Sequence, residues 1–165
     1  MAAATLQGSD PGGARPAMDL AANRARLLDA LHDYAVAGDF PRNTDTPSGR
    51  TLYFLDPDGR ACAVAHLMIQ SGRMSDVRAI AATQNAVKVT PHTGGAIADW
   101  IRTSGFTVAD VMAIQEPDGY GYSGPDVDAP AIVNADRARI QKRLLAVERR
   151  LRAASVRTTP VLTRG

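Results

Sequence analysis

Cys62 and His66 are the two residues of this sequence whose types and spacing could do chemistry together. Cys62 is the only cysteine, and it stands where the turn-forming stretch 56–59, Asp-Pro-Asp-Gly, gives way to an apolar helical pattern. A helix N-terminus stabilises a thiolate through its unpaired N–H groups and its macrodipole. The four-residue spacing places His66 on the same helical face, where an imidazole can exchange a proton with the thiol. The pair predicts a nucleophilic cysteine with a lowered pKa, in an enzyme of acyl transfer or hydrolysis.

Polar residues near this helix complete the predicted site. Asp56 stands beside the turn and could orient the imidazole, and Asn85 interrupts an apolar pattern and could polarise a substrate carbonyl. Arginine, asparagine and tyrosine side chains elsewhere are suited to holding a small molecule or a peptide. The predicted substrate-binding residues are Arg42, Asn43, Arg60 and Tyr120.

The same segment also fits a purely structural role. Residues 61–69 are nearly all apolar, and a free cysteine is among the most commonly buried residues. In this alternative His66 is a core histidine, and the chain is a non-catalytic binding or interaction module. The exposure of Cys62 separates the two hypotheses.

Composition and residue spacing argue against a metal site, a disulfide, a membrane span and a secretory signal. A structural zinc ion takes four ligands, and His32 and His92 are the only imidazoles besides His66, so we expect no metal and no other cofactor. One cysteine cannot form an internal disulfide. No apolar run approaches the roughly 18 residues of a membrane span, and the first residues lack the pattern of a secretory signal. We therefore expect a cytoplasmic protein without a membrane span.

Hydrophobic spacing predicts a mainly helical fold with at most a short β-strand or hairpin, within the run 52–55. Asp19, Ser75 and Thr107 have the types and positions of helix N-caps, and Gly38 is placed to end the first helix. The predicted helices are 20–37, 61–70, 75–87, 96–103, 107–115 and 131–157.

Charge divides the chain into two parts. Residues 1–130 carry ten Lys and Arg against fifteen Asp and Glu, whereas residues 131–165 carry nine against two. We predict a flexible leader (1–18), a helical Cys–His domain (19–122), a hinge (123–130), a basic amphipathic helix (131–157) and a flexible tail (158–165).

The basic helix has an apolar seam with coiled-coil spacing, formed by Ile140, Leu144, Val147, Leu151 and Ala154. The seam predicts either a homodimer or a helix folded onto the acidic domain, and the charge could also contact an acidic surface. We expect no nucleic-acid partner, because no base-reading motif or aromatic platform accompanies the charge.

The order of several motifs is similar to that in a family of small bacterial proteins with no established activity. The motifs are Phe-Pro-Arg-Asn at 40–43, Tyr-Phe-Leu-Asp-x-x-Gly-x-x-Cys-Ala-Val-Ala-His-Leu-Met at 53–68, and Ser-Gly at 71–72. The resemblance covers roughly residues 24–122. It implies a bacterial origin and one domain of about this extent, and it implies no reaction.

Overall fold

The computed structural model describes residues 19–43, 49–123 and 130–157, and these residues are mainly helical. The elements are α1 (Leu20–Ala37), β1 (Gly49–Thr51), α2 (Ala63–Gln70), α3 (Met74–Gln84), α4 (Gly95–Ser104), α5 (Val108–Ile114), β2 (Tyr120–Ser123) and α6 (Pro130–Arg157). The predicted helical fold with a C-terminal helix is confirmed. The predicted leader and tail, and most of the predicted hinge, lie outside the described residues.

Two helices begin where the local sequence predicts. The Asp19 carboxylate accepts a hydrogen bond from the Ala22 N–H at 2.9 Å, and Gly38, with φ of 67°, ends α1 in the left-handed conformation. At α5 the Thr107 hydroxyl and the Asp110 carboxylate each accept a bond from the other's backbone N–H, which is a complete capping box.

Two other helices begin differently. Helix α2 begins at Ala63, and Cys62 is its N-cap rather than a residue of its first turn. Helix α3 begins at Met74 with no side-chain cap, so the predicted cap at Ser75 is wrong. Arg73 precedes the helix and instead pairs with Asp76 in its first turn, at 3.1 Å.

Helix α2 lies at the centre of the hydrophobic core. Its buried residues are Ala63, Val64, Ala65, Leu67 and Met68. The helix contacts α1, α3 and α5. Trp100 of α4 is fully buried, and its indole N–H donates to the Ser71 hydroxyl at the C-terminal end of α2. An eight-residue helix buried in this way places its N-terminus inside the protein, whereas its C-terminal residue Gln70 is exposed.

The extended structure is confined to short pieces before and after the core. Strands β1 and β2 pair antiparallel, with Thr51 opposite Tyr120. Of the predicted extended run 52–55, Leu55 forms an isolated bridge with Ala61 across the turn that contains Gly59. This bridge fixes the direction in which the chain enters α2.

Helix α6 packs along α1 and also contacts α5 and β2. Its seam residues Ile140, Leu144 and Leu151 are buried, with at most 4% of their surface exposed. Most of the seam that predicts a homodimer is therefore covered by this chain's own core, as in the alternative of a helix folded onto the acidic domain, whereas Val147 is partly buried and Ala154 is exposed. The homodimer stays a prediction.

Removing a seam side chain should test how firmly α6 is docked. We expect Leu144→Ala to lower the free energy of unfolding by about 3 kcal/mol, because it leaves a cavity in a fully buried position. The matched control Lys142→Ala changes an exposed residue of the same helix and should cost less than about 0.5 kcal/mol. Urea unfolding of both variants measures the difference. Equal free energies of unfolding would mean that the packing of Leu144 adds nothing to stability.

Candidate functional site

Cys62 closes the N-terminus of α2. Its sulfur accepts a hydrogen bond from the Ala65 N–H at 3.4 Å, and the Tyr120 hydroxyl accepts one from the Ala63 N–H at 3.4 Å. The first N–H groups of a helix have no partner within the helix. A thiol and a phenol therefore take the place that water or a polar cap takes at an exposed helix.

Burial dominates the acidity of this thiol. Cys62 is 2% exposed, and desolvation raises the pKa of its thiol to about 12, although the N–H groups of Ala65 and Val64 act in the opposite direction. The prediction of a lowered pKa is wrong in sign. The helix N-terminus acts on the sulfur as expected, but the loss of hydration is the larger effect.

His66 lies one helical turn after Cys62, which caps α2. The His66 backbone N–H donates to the Cys62 carbonyl at 2.8 Å, as helix geometry requires. In the described part of the chain, no hydrogen bond joins the thiol to the imidazole. The imidazole instead lies 4.7 Å from the Tyr34 ring, measured between centroids. Its partial burial lowers its pKa, so the neutral form is favoured.

The imidazole of His66 borders a cleft of about 520 Å³ between α1 and the turn that leads into α2. The lining residues are Ala30, Asp33, Tyr34, Ala37, Asp39, Gly59, Arg60, Ala61, His66, Ile69 and Gln70. Of the predicted site residues, His66 and Arg60 line this cleft. Asp33 and Asp39 were not predicted, because no local pattern shows that α1 faces His66, whereas Gln70 lies one helical turn after His66 on α2 and follows from that spacing.

Asp56 holds the turn together. Its carboxylate accepts hydrogen bonds from the backbone N–H groups of Arg42 and Arg60, at 3.0 and 2.8 Å, and from the Arg60 guanidinium at 3.0 Å. It is 6% exposed. Among the described residues, these three bonds go to the loops around α2, and none supports the predicted role of orienting the imidazole.

Asn85 has a similar structural position at the end of α3. Its side-chain oxygen accepts bonds from the backbone N–H groups of Phe54 and Leu55, at 3.2 and 2.9 Å, and its amide nitrogen donates to the Leu55 carbonyl at 2.7 Å. The side-chain amide thus makes the hydrogen bonds that the backbone of a neighbouring strand would make. The oxygen and one of the two amide N–H groups are thus used within the fold, and these contacts give no support to the predicted polarisation of a substrate carbonyl.

Of the predicted substrate-binding residues, only Arg60 lines the cleft. Asn43 is fully buried and accepts a hydrogen bond from the Tyr53 hydroxyl at 3.2 Å. Tyr120 is 1% exposed and faces the start of α2. Arg42 is partly exposed and does not line the cleft. Arg60 does line it, and its guanidinium contacts three carboxylates, those of Asp39, Asp56 and Asp58.

Comparison with protein families, with curated proteins and with solved structures finds no match to this chain. The resemblance to the bacterial family stays a prediction. Within 19–43, 49–123 and 130–157, no three His, Cys, Asp or Glu side chains are grouped so as to hold a metal ion. Over those same ranges, no helix has the length and apolar character to cross a membrane.

The structural role of Asn85 can be measured directly. We expect Asn85→Ala to lower the free energy of unfolding by about 2 kcal/mol, because it leaves the N–H and the carbonyl of Leu55 without their partner, while the Phe54 N–H keeps its bond to the Asn85 backbone carbonyl. The control Gln84→Ala changes the exposed neighbour in the same helix turn and should be nearly neutral. Chemical denaturation of both variants is the measurement, and a neutral Asn85→Ala would contradict the strand-like role.

Proposed function

We propose that this chain is a non-catalytic interaction module, in which Cys62 closes a buried helix and the outward face of α6 contacts an acidic partner protein. The observation that carries the first half is the burial of the thiol. The second half is supported by the way in which α6 distributes its charges.

The state of the thiol argues against the alternative, a cysteine-dependent transferase or hydrolase. With a pKa of about 12, only about one thiol in 10⁵ is a thiolate at pH 7. The sulfur is also engaged with the Ala65 N–H and does not line the cleft that borders His66. A substrate could reach Cys62 only if the start of α2 opened.

The acidic residues of α6 face inward. Asp136 pairs with Arg139 at 3.0 Å and with Arg50 at 3.3 Å, and it retains 12% side-chain exposure. Glu148 is 4% exposed and pairs with Arg152. The carboxylates of this helix are therefore used to hold the helix in place and add no negative charge to its outer surface.

The outward face of α6 is correspondingly cationic. Four exposed cations of α6 form no ion pair within the ranges that the structure describes: Arg137, Lys142, Arg149 and Arg150. Lys142 and Arg149 are two helical turns apart, which places them on one face about 10 Å from each other along the axis. Helix α6 contains no aromatic residue on which a nucleic-acid base could stack. We therefore propose an acidic protein surface as the partner.

Thiol labelling tests the non-catalytic half of the proposal. We expect native protein to react with iodoacetamide very slowly at pH 7, and the rate to keep rising beyond pH 9, because burial raises the pKa of the Cys62 thiol. Mass spectrometry counts the label, and the same protein in concentrated urea serves as the control and should react rapidly. Rapid native labelling with a midpoint below that of a free thiol would restore the enzyme hypothesis.

Charge reversal on α6 tests the interaction half. We expect Lys142→Glu combined with Arg149→Glu to weaken binding of a fluorescent polyglutamate peptide about tenfold at low salt. Both cations are exposed, and neither forms an ion pair with a described residue. The matched control reverses Arg78 and Lys88, two exposed cations outside α6, and leaves the net charge the same. Fluorescence anisotropy gives the affinities.

Two results would contradict this half of the proposal. If the α6 double variant and the control double variant lost affinity for polyglutamate equally, net charge rather than the face of α6 would govern binding. Tighter binding of a DNA duplex than of polyglutamate, lost in the α6 variant alone, would identify a nucleic-acid partner instead.

A further inference from the structure

The cleft beside His66 is separate from the outward face of α6 and has a lining of mixed character. Its apolar surface comes from small and aliphatic side chains, including Ala30, Ala61 and Ile69. Its volume of about 520 Å³ falls within the range of small-molecule sites, about 300–1,000 Å³. An apolar floor with a few polar groups at its border is the usual composition of such a site.

Among the residues that line this cleft, carboxylates outnumber cations. Asp33 and Asp39 both line it, and Asp33 is exposed and forms no ion pair with any described residue. Arg60 is the cation among the lining residues, and it already contacts three carboxylates: Asp39 at 3.1 Å, Asp56 at 3.0 Å and Asp58 at 2.6 Å. An anionic ligand would therefore have to compete for Arg60 against carboxylates already in place.

His66 adds a hydrogen-bonding group that the described protein atoms leave unused. Neither ring nitrogen of His66 bonds to a group in the described residues, and the side chain is only half buried. A neutral imidazole carries one donor and one acceptor nitrogen. The adjacent Tyr34 hydroxyl is occupied, because it donates to the Ala61 carbonyl at 2.8 Å. The imidazole is thus the free polar group of the inner wall.

We propose that the cleft between α1 and the start of α2 binds a small organic cation, an ammonium or guanidinium group carried on an apolar body. The cationic group lies at the Asp33 carboxylate, the apolar body covers Ala30 and Ile69, and His66 accepts a hydrogen bond from the ligand. The charge selects against anions, because Arg60 is already compensated.

Phenethylamine is a suitable probe because it joins an ammonium group to a compact apolar body. In a ¹H–¹⁵N NMR titration of the full chain, we expect shifts at the amides of Ala30, Ala61 and Ile69. Affinity should be near the millimolar level that so small a ligand reaches, so the titration extends to about 20 mM. The matched probes are 3-phenylpropanoate, which is anionic, and phenylacetamide, which is neutral, and both should bind at least about threefold more weakly.

Variants locate the charge recognition. Asp33→Asn should weaken phenethylamine binding about two- to fivefold, the range expected for one exposed charge pair. Ala37→Lys places a cation on an exposed lining residue and should weaken it further. Asp99→Asn, which removes an exposed carboxylate of α4 that does not line the cleft, should leave the affinity unchanged. None of these positions is buried, so we expect each variant to fold. The dispersion of amide signals in its NMR spectrum checks this.

Three results would overturn the proposal. They are the absence of cleft shifts with phenethylamine up to the highest concentration, equal or tighter binding of the carboxylate probe, and equal weakening by Asp33→Asn and Asp99→Asn. None of them bears on the interaction proposed for α6, since the cleft residues belong to other elements.

Discussion

The N-terminus of α2 must be closed by protein atoms, because this helix is buried from its first residue. An unpaired buried N–H costs about 1–3 kcal/mol, and a helix begins with four of them. Cys62 and Tyr120 supply two acceptors from widely separated positions in the sequence. The closure ties β2 and the turn before α2 to the same point, so the central helix, the strand pair and the core depend on one another.

This closure also explains why the most reactive residue type in the sequence is placed where it has least access to solvent. A thiol is a weak hydrogen-bond acceptor but a good apolar filler, and it suits a helix end surrounded by side chains such as Val64 and Leu67. The same position that would activate an exposed cysteine becomes a packing position when water is excluded. Burial therefore decides between two roles that share identical local geometry.

The features that sequence patterns predicted correctly are those settled within one helical turn. The caps at Asp19 and Thr107 depend on neighbours three residues away, and the periodicity of α1 and α6 depends on their own faces. The role of Asp56 depends in part on Arg42, 14 residues away, and that of Asn85 on partners 30 and 31 residues away, and a single sequence does not show which such residues are close in space. The cleft was missed for the same reason, since Asp33 and His66 meet only through the packing of α1 on α2.

Two amide side chains hold the connection between α3 and α4 without a strand. Gln115 donates to the Val87 carbonyl at 2.9 Å and accepts from the Val89 N–H at 2.8 Å, which matches the two-ended use of Asn85. A carboxylate of equal shape would face a carbonyl with a second acceptor, so neither acid can substitute. In evolutionary terms, these two amides should diverge more slowly than exposed Gln84, although all three look equally polar in the sequence.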